Sequence, residues 1–446
     1  MKKTLLLAVF FLTAMSSSAL ASGFAIIEQS VSGLGNAFAG GAASSEDASM
    51  MYFNPAIMTE IKGQQVVGGF HVIVPSAEVG VSSAVTLGGP LVQGTNNIDG
   101  GQTGVAPNLY YLNNPGNGFG FGLGINAPFG LATKYDKNWL GRYHAVESDV
   151  KTININPSVA YKVNDQLSLG AGINLMYMEA TLSSMVNGGL AAFSASGGTV
   201  GTPNDPSDDI FVENEADDWG YGFNLGILYK LSDSTQIGLA YRSEVKQELE
   251  GSTKTDVPST LSILGSAFAG AFGDQGVNGD IDLPATASLS FNQKVGGKLT
   301  LMADVLWTDW SSFEKLTLNF EGAGIGGNPS TTTVENWNDS WRYSAGATYQ
   351  YSDALKLRCG VAFDETPIPD AAHRTPRIPG EDRFWVAVGA GYQPTKRFNI
   401  DIAYAHLFVD DSKIDLSLAA NPSAGSLTAT SENAVDIASI QLSYNF

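Results

Sequence analysis

The amino-acid sequence predicts an all-β protein, a transmembrane antiparallel β-barrel of about fourteen strands with an N-terminal hatch, or plug, in its lumen. Three observations predict it. The chain opens on an export leader, it offers no later apolar run long enough to cross a bilayer as a helix, and its candidate strands set an apolar face against a charged one in the sense opposite to a soluble barrel.

The leader comes first. Lys2 and Lys3 precede an apolar stretch from Leu5 to Met15 and the small-residue site Ala19-Leu20-Ala21, the three regions of a secretory signal peptide. Residues 1–21 are therefore expected to be removed before Ser22. The apolar stretch falls short of the roughly 20 residues that a spanning helix needs. Backbone amides in lipid must be satisfied internally, so a strand-built membrane protein has to close on itself.

Residues 22–62 read as the hatch. They are rich in Gly, Ala and Ser and alternate poorly, yet Phe24, Ile26, Ile27, Phe38, Met50, Met51 and Phe53 are too many apolar residues for a solvated tail. A lumen of this width leaks unless filled, and this segment is the available filling.

Residues 63–446 read as the barrel. Tight-turn chemistry stands at Asn113 to Gly118, Val163-Asn164-Asp165, Leu231-Ser232-Asp233, Val295-Gly296-Gly297, Tyr351-Ser352-Asp353 and Gln393-Pro394-Thr395. Long polar or Gly/Ser-rich stretches lie near 76–102, 132–148, 185–216, 251–281, 321–335, 365–380 and 412–433. Short and long connections thus alternate, as short periplasmic turns and longer outer loops require.

The strands between them have period two. Ile237, Leu239, Tyr241 and Val245 are expected to face lipid, with Arg242, Glu244 and Lys246 inside. Leu299, Leu301, Ala303, Val305 and Trp307 form a second outward set around Asp304, and Phe398, Ile400, Ile402 and Tyr404 a third around Asp401. Trp310, Trp341, Tyr229 and Tyr351 are candidates for the interfacial girdles. The run Ile440-Gln441-Leu442-Ser443-Tyr444-Asn445-Phe446 alternates without a fault. It resembles the terminal signature by which outer-membrane barrels are recognised for insertion, which makes Phe446 the expected contact for the barrel-assembly machinery of a Gram-negative outer membrane.

Two segments depart from regular strand. Gly118 to Phe129, the candidate third strand, carries Gly120, Gly122 and Gly124 and then Asn126-Ala127-Pro128-Phe129-Gly130. Proline cannot donate to a ladder and glycine weakens one, so a break in the wall is expected beside Pro128. In the outer loops, Leu261, Leu264, Phe268 and Phe272 fit a short amphipathic helix and a greasy groove for first capture of a ligand, with simple loop packing as the alternative.

Composition excludes other classes. With 24 basic against 44 acidic residues and a net charge of −20, the chain has no basic surface for nucleic acid. Cys359 stands alone, the four histidines His71, His144, His373 and His406 are scattered, and no zinc-ligand spacing is present. The expectation is a protein that is not an enzyme and needs no cofactor or metal.

Taken in order, Gly23-Phe24, Ser32-Gly33-Leu34-Gly35, Asp47-Ala48, Asn54-Pro55-Ala56, Gly130-Leu131-Ala132-Thr133, Tyr241-Arg242-Ser243-Glu244, Pro367-Ile368-Pro369 and Asp382-Arg383-Phe384-Trp385 resemble the FadL-type long-chain fatty acid transporters of the outer membrane, the OMPP1/FadL/TodX family. The resemblance implies a fourteen-stranded barrel, a hatch with Gly23, Phe24, Asn54, Pro55 and Ala56 at its gating positions, and sideways diffusion of a long-chain fatty acid into outer-membrane lipid through an opening at Asn126, Ala127, Pro128, Phe129 and Gly130. The sequence departs from the family where its members bind the carboxylate: Ser184 stands at the arginine position, Thr317 at the lysine and Ala127 at the serine. Lys315, Arg242 and Arg358 are the substitute candidates. The departure keeps uptake of aromatic or aliphatic hydrocarbons as the alternative. A general porin needs no plug, and an energy-coupled receptor needs a far wider barrel.

Overall fold

The computed structural model describes residues 23–87, 91–322 and 324–446; the expected leader, residues 1–21, lies outside the described residues. One closed antiparallel sheet accounts for the architecture, and its strand segments join across short interruptions into fourteen barrel strands. These are β1 (Gly63–Val85), β2 (Gly104–Asn114), β3 (Phe119–Asn126 and Gly130–Lys134), β4 (Glu147–Lys162), β5 (Leu167–Val186), β6 (Ile210–Ser232) and β7 (Thr235–Arg242 and Val245–Asp256). They continue as β8 (Gln275–Leu283 and Thr286–Val295), β9 (Leu299–Thr308 and Lys315–Phe320), β10 (Ser330–Val334 and Ser340–Ser352), β11 (Leu355–Asp364), β12 (Arg383–Thr395), β13 (Phe398–Val409 and Ser412–Leu416) and β14 (Ser426–Asn445). Closure is by β1 on β14, from Gln65 opposite Asn445 to Val85 opposite Ser426.

Period-two alternation produces the two faces. Leu123, Phe223, Val388 and Ile402 are exposed on the outside, while Met302, Asp304 and Asp401 are buried inside. In the last strand Ile440, Leu442 and Tyr444 are outward and Gln441 and Ser443 inward. Trp341, Tyr229 and Tyr351 are exposed, as a girdle requires.

Several expectations need correction. The strands run further into the outer region than the loop reading allowed: β1 reaches Val85 and β6 starts at Ile210. The cause is that alternation continues above the membrane with charged residues, such as Glu215 and Lys254, on the outer face. Trp310 is no girdle residue; it is fully buried in the lumen. Val245 faces inward and is 2% exposed, whereas Lys246 is out in solvent. Here Arg242 opposes Asn224 but Glu250 opposes Asp217, so residues 243–249 face the shorter run 218–223. One extra residue reverses which side each later side chain takes.

The same device recurs around the barrel. Residues 127–129 of β3 face only 152 and 153 of β4, and 409–411 of β13 face only 432 and 433 of β14. In β9 and β10, residues 309–314 face 335–339.

Candidate functional site

Residues 23–62 lie against inward-facing positions of strands around the whole circumference. Three of their four short helical turns are fixed by a side-chain cap. Ser30 Oγ accepts from the Gly33 amide at 3.1 Å, Asp47 Oδ1 from Ser49 at 2.8 Å, and Asn54 Oδ1 from Ala56 at 2.9 Å. Asn54 Nδ2 also donates to Ala42 O at 2.7 Å and to Ile227 O of β6 at 3.0 Å, so the Asn54-Pro55-Ala56 turn is tied to the wall. Three strands away, Gly122 of β3 sits where any Cβ would collide with the Met51 and Met58 side chains, and Gly120 where it would meet Met58. These two glycines of β3 therefore admit the N-terminal segment, a reason other than ladder weakening.

At the short-turn end, periplasmic in barrels of this kind, Glu46 receives Lys356 and Arg358, the latter at 2.9 Å. Burial works to raise the Glu46 carboxyl, but the two cations outweigh it and hold it down at about 2. Arg358 is also bound to Asp401 at 2.8 Å and is itself buried. It is a structural ion pair below the segment, not a free carboxylate anchor.

At the other end the segment meets the wall where the wall is open. The β2–β3 ladder runs from Asn113 opposite Phe121 to Leu109 opposite Ile125, stops, and resumes only at Gly101 opposite Thr133. In between, Asn126 to Thr133 are all buried because the chain turns into the lumen. Its backbone groups are taken up there. Ile26 N donates to Pro128 O at 2.8 Å, Gly130 N to Phe24 O at 2.9 Å, and Gln29 Nε2 to Ala127 O at 2.7 Å; Phe129 exchanges bonds with Thr152 Oγ1. Pro107 and Pro128 lie on the two margins of the unbonded stretch, and neither has an N–H to offer across it.

Phe24 is held in an aromatic box. Its ring centre lies 4.8 Å from Trp310, 5.9 Å from Phe313, 6.0 Å from Phe129 and 6.1 Å from Trp337. Gly23 before it has φ +61°, and a Cβ there would come within 2.5 Å of Trp310 and 2.6 Å of Trp337. Two cavities lie here, one lined by Phe24 itself and one by Ala25 to Ile27 next to it. One, of about 70 Å³, is apolar, with Phe24, Leu131, Met178, Leu249, Ile281 and Leu316 on its walls and Glu335 and Arg377 as its charged groups. The other, of about 100 Å³, is lined by Ile26, Tyr52, Pro128, Phe129, Arg242 and Asp304. Arg242 packs over the Tyr52 ring and donates to Asn174 and to Tyr52 O.

Of the basic candidates, then, Arg242 borders one of these two cavities. Lys315 does not: Leu316 and Leu318 line the apolar cavity, so Lys315 and Thr317 point outward on the alternate face. Arg377 was missed because it stands in a loop, outside any periodic pattern. The outer-loop helix is also less open than expected. Gly265, at φ +78°, splits it into Ser259–Leu264 and Gly265–Gly270, and Leu261 and Phe272 are buried in loop packing against Ala192, Ile210 and Ile325. Leu264 and Phe268 are half-buried, while Ile263 and Phe193 are the large exposed apolar residues there.

Comparison with known proteins places this geometry. Residues 12–446 match the family described as outer membrane protein transport protein (OMPP1/FadL/TodX). A long-chain fatty acid transport protein of Escherichia coli O6:H1 is 30% identical over 88% of each chain, and outer membrane protein P1 of Haemophilus influenzae is 31% identical over 88% of this chain and 87% of its own. Among solved structures, a Pseudomonas aeruginosa FadL homologue superposes with a TM-score of 0.85 at 26% identity, covering 95% of this chain and all of its own. The toluene transporter TodX of P. putida shares the fold at a TM-score of 0.67 and 19% identity, over 92% and 98% of the two chains. None of these relatives is named as an enzyme. The chain belongs to the OMPP1/FadL/TodX family of outer-membrane proteins, transporters of hydrophobic molecules.

Proposed function

We propose that the barrel takes up long-chain fatty acids: capture at the extracellular loops, passage past a hatch formed by residues 22–62, and sideways release into the bilayer beside Pro128. The observation that carries this reading is the unbonded stretch of wall between β2 and β3, closed from inside by Phe24 to Gln29. An apolar chain gains about 0.8 kcal/mol per buried methylene, so a cavity of this lining holds a long tail with little other help. Cavities of about 70 and 100 Å³ fall short of the roughly 300 Å³ of a ligand pocket. Moving Phe24 opens its cavity toward Phe129, which lines the other cavity and stands at the gap, and this gives Gly23 and Phe24 their gating role. The 30% identical relative named as a long-chain fatty acid transport protein supports the same substrate class.

A second reading, uptake of aromatic hydrocarbons, is favoured by the box around Phe24 and by Ser184, Thr317 and Ala127 at the positions where the family's carboxylate ligands were expected.

The test closes the gap. Deleting Ala127, the extra residue of the bulge, with Asn126→Thr, Pro128→Val and Phe129→Thr restores a regular strand. Uptake of radiolabelled oleate by cells is expected to fall about tenfold or more, 1.4 kcal/mol per decade, with insertion unchanged as judged by heat-modifiable gel migration. Unchanged uptake by the inserted variant overturns lateral release.

A further inference from the structure

Arg377 lies in the connection from β11 to β12, residues 365–382, which folds back into the lumen. Tyr135 Oη donates to Pro376 O at 2.7 Å, Thr133 Oγ1 to Arg377 O at 3.2 Å, and Ile378 joins the buried core. The guanidinium donates from Nη1 to Glu147 O at 2.9 Å and Ser148 Oγ at 2.8 Å, and from Nη2 to Ser183 O at 3.0 Å. All three acceptors are uncharged. Among the described residues Arg377 forms no ion pair: Glu335, the one carboxylate on the same cavity, accepts instead from Trp337 Nε1 at 3.1 Å. Burial lowers the Arg377 guanidinium to about 10, which leaves it protonated at neutral pH.

A cation withdrawn from water and left without an anion is expensive unless a partner arrives. This one stands at the wall of an apolar cavity that Phe24 also lines, and its guanidinium has donors beyond the three in use. The other basic candidates do not stand on this cavity: Lys315 faces outward, Arg358 is neutralised by Glu46 and Asp401, and Arg242 borders the other cavity, packed over Tyr52 and bound to Asn174.

We infer that Arg377 is the head-group anchor of the apolar cavity, binding the carboxylate of a long-chain acid whose tail runs toward Phe24. The inference rests on the reading of this cavity as the ligand site, and it names the class of ligand, an anionic amphiphile rather than an uncharged hydrocarbon.

The test measures equilibrium binding of oleate, methyl oleate and toluene to the full chain in detergent, for the wild type, Arg377→Gln and Arg377→Lys. The wild type is expected to prefer oleate to methyl oleate about tenfold or more, the gain of a charge-assisted hydrogen bond. Arg377→Gln is expected to abolish that preference by weakening oleate while leaving methyl oleate unchanged, and Arg377→Lys to restore part of it. Equal loss of both ligands in Arg377→Gln means that the residue only braces β4 and β5, and overturns the inference. So does unchanged oleate binding in Arg377→Gln; where that variant does not fold, equal loss of oleate and methyl oleate in Arg377→Lys overturns the inference in its place. Toluene binding with neither oleate nor methyl oleate binding by the wild type overturns the fatty acid reading itself, a distinct result.

Discussion

Two seams of the barrel wall show what an opening requires. The seam between β1 and β14 is hydrogen-bonded from Gln65 to Val85 with one irregularity, between Val81 and Ser83, and it carries Pro75 opposite Val435 without losing register. The seam between β2 and β3 also has prolines, yet it comes apart from Leu109 and Ile125 to Gly101 and Thr133. Proline alone does not open a wall. The difference is that the second seam has somewhere else to place its amides: Phe24, Ile26 and Gln29 on one side and Thr152 on the other receive what β2 no longer pairs. Because an unsatisfied backbone group in lipid costs several kcal/mol, the gap is a transfer of hydrogen bonds from neighbour strand to the N-terminal segment.

That comparison can be broken at several points. The largest effect is expected from Ile437→Pro in β14, whose inward side chain is fully buried and which pairs with Ile73 and Ala405. With no residue of the N-terminal segment positioned to take the lost bond, the closed seam is expected to lose about 3 kcal/mol or more. A shifted midpoint in urea unfolding from detergent checks it, and near-wild-type stability removes the contrast between the seams. Next is Gly23→Val, which forces a side chain against Trp310 and Trp337 at a left-handed φ. A cost of roughly 1–3 kcal/mol to docking of the N-terminal segment is expected, read as a change in tryptophan emission and faster proteolysis before residue 62. The smallest effect concerns the far anchor. Because the Glu46 carboxyl is held at about 2, below its ordinary 4.5, its contribution is present above pH 4.5 and is lost as pH falls toward 2. Thermal unfolding across that window is expected to be flatter for Glu46→Gln than for the wild type; parallel curves remove the anchor from the account.

The sequence made the barrel legible because lipid enforces it: Leu299 to Trp307 and Ile440 to Tyr444 alternate in the letters as they do in space. Turn residues marked the short connections for the same reason, since Gly296 and Gly297 both adopt positive φ. The interior was harder. Period two assigns a side only until a bulge intervenes, which is why Val245 and Lys246 were placed on the wrong faces. The glycines of β3 read as weakness because Met51 and Met58 approach them from far along the chain. Trp310 looked like a girdle residue until Phe24 was seen against it. The one available signal for Arg377 was a basic side chain set between Pro376 and Ile378-Pro379, a stretch too stiff and too apolar for an ordinary solvated loop.

The bulges have a consequence for how the gene tolerates change. Inside and outside are a single binary choice along a strand, and each extra residue at 127–129, 243–249 or 409–411 inverts it. A substitution in such a strand alters one side chain. An in-frame loss of one codon at 243 or 244 takes out the extra residue and leaves Val245 and Leu249 inward and Lys246 and Glu248 outward, whereas the same loss within a regular run turns the length beyond it inside out while leaving every other residue present.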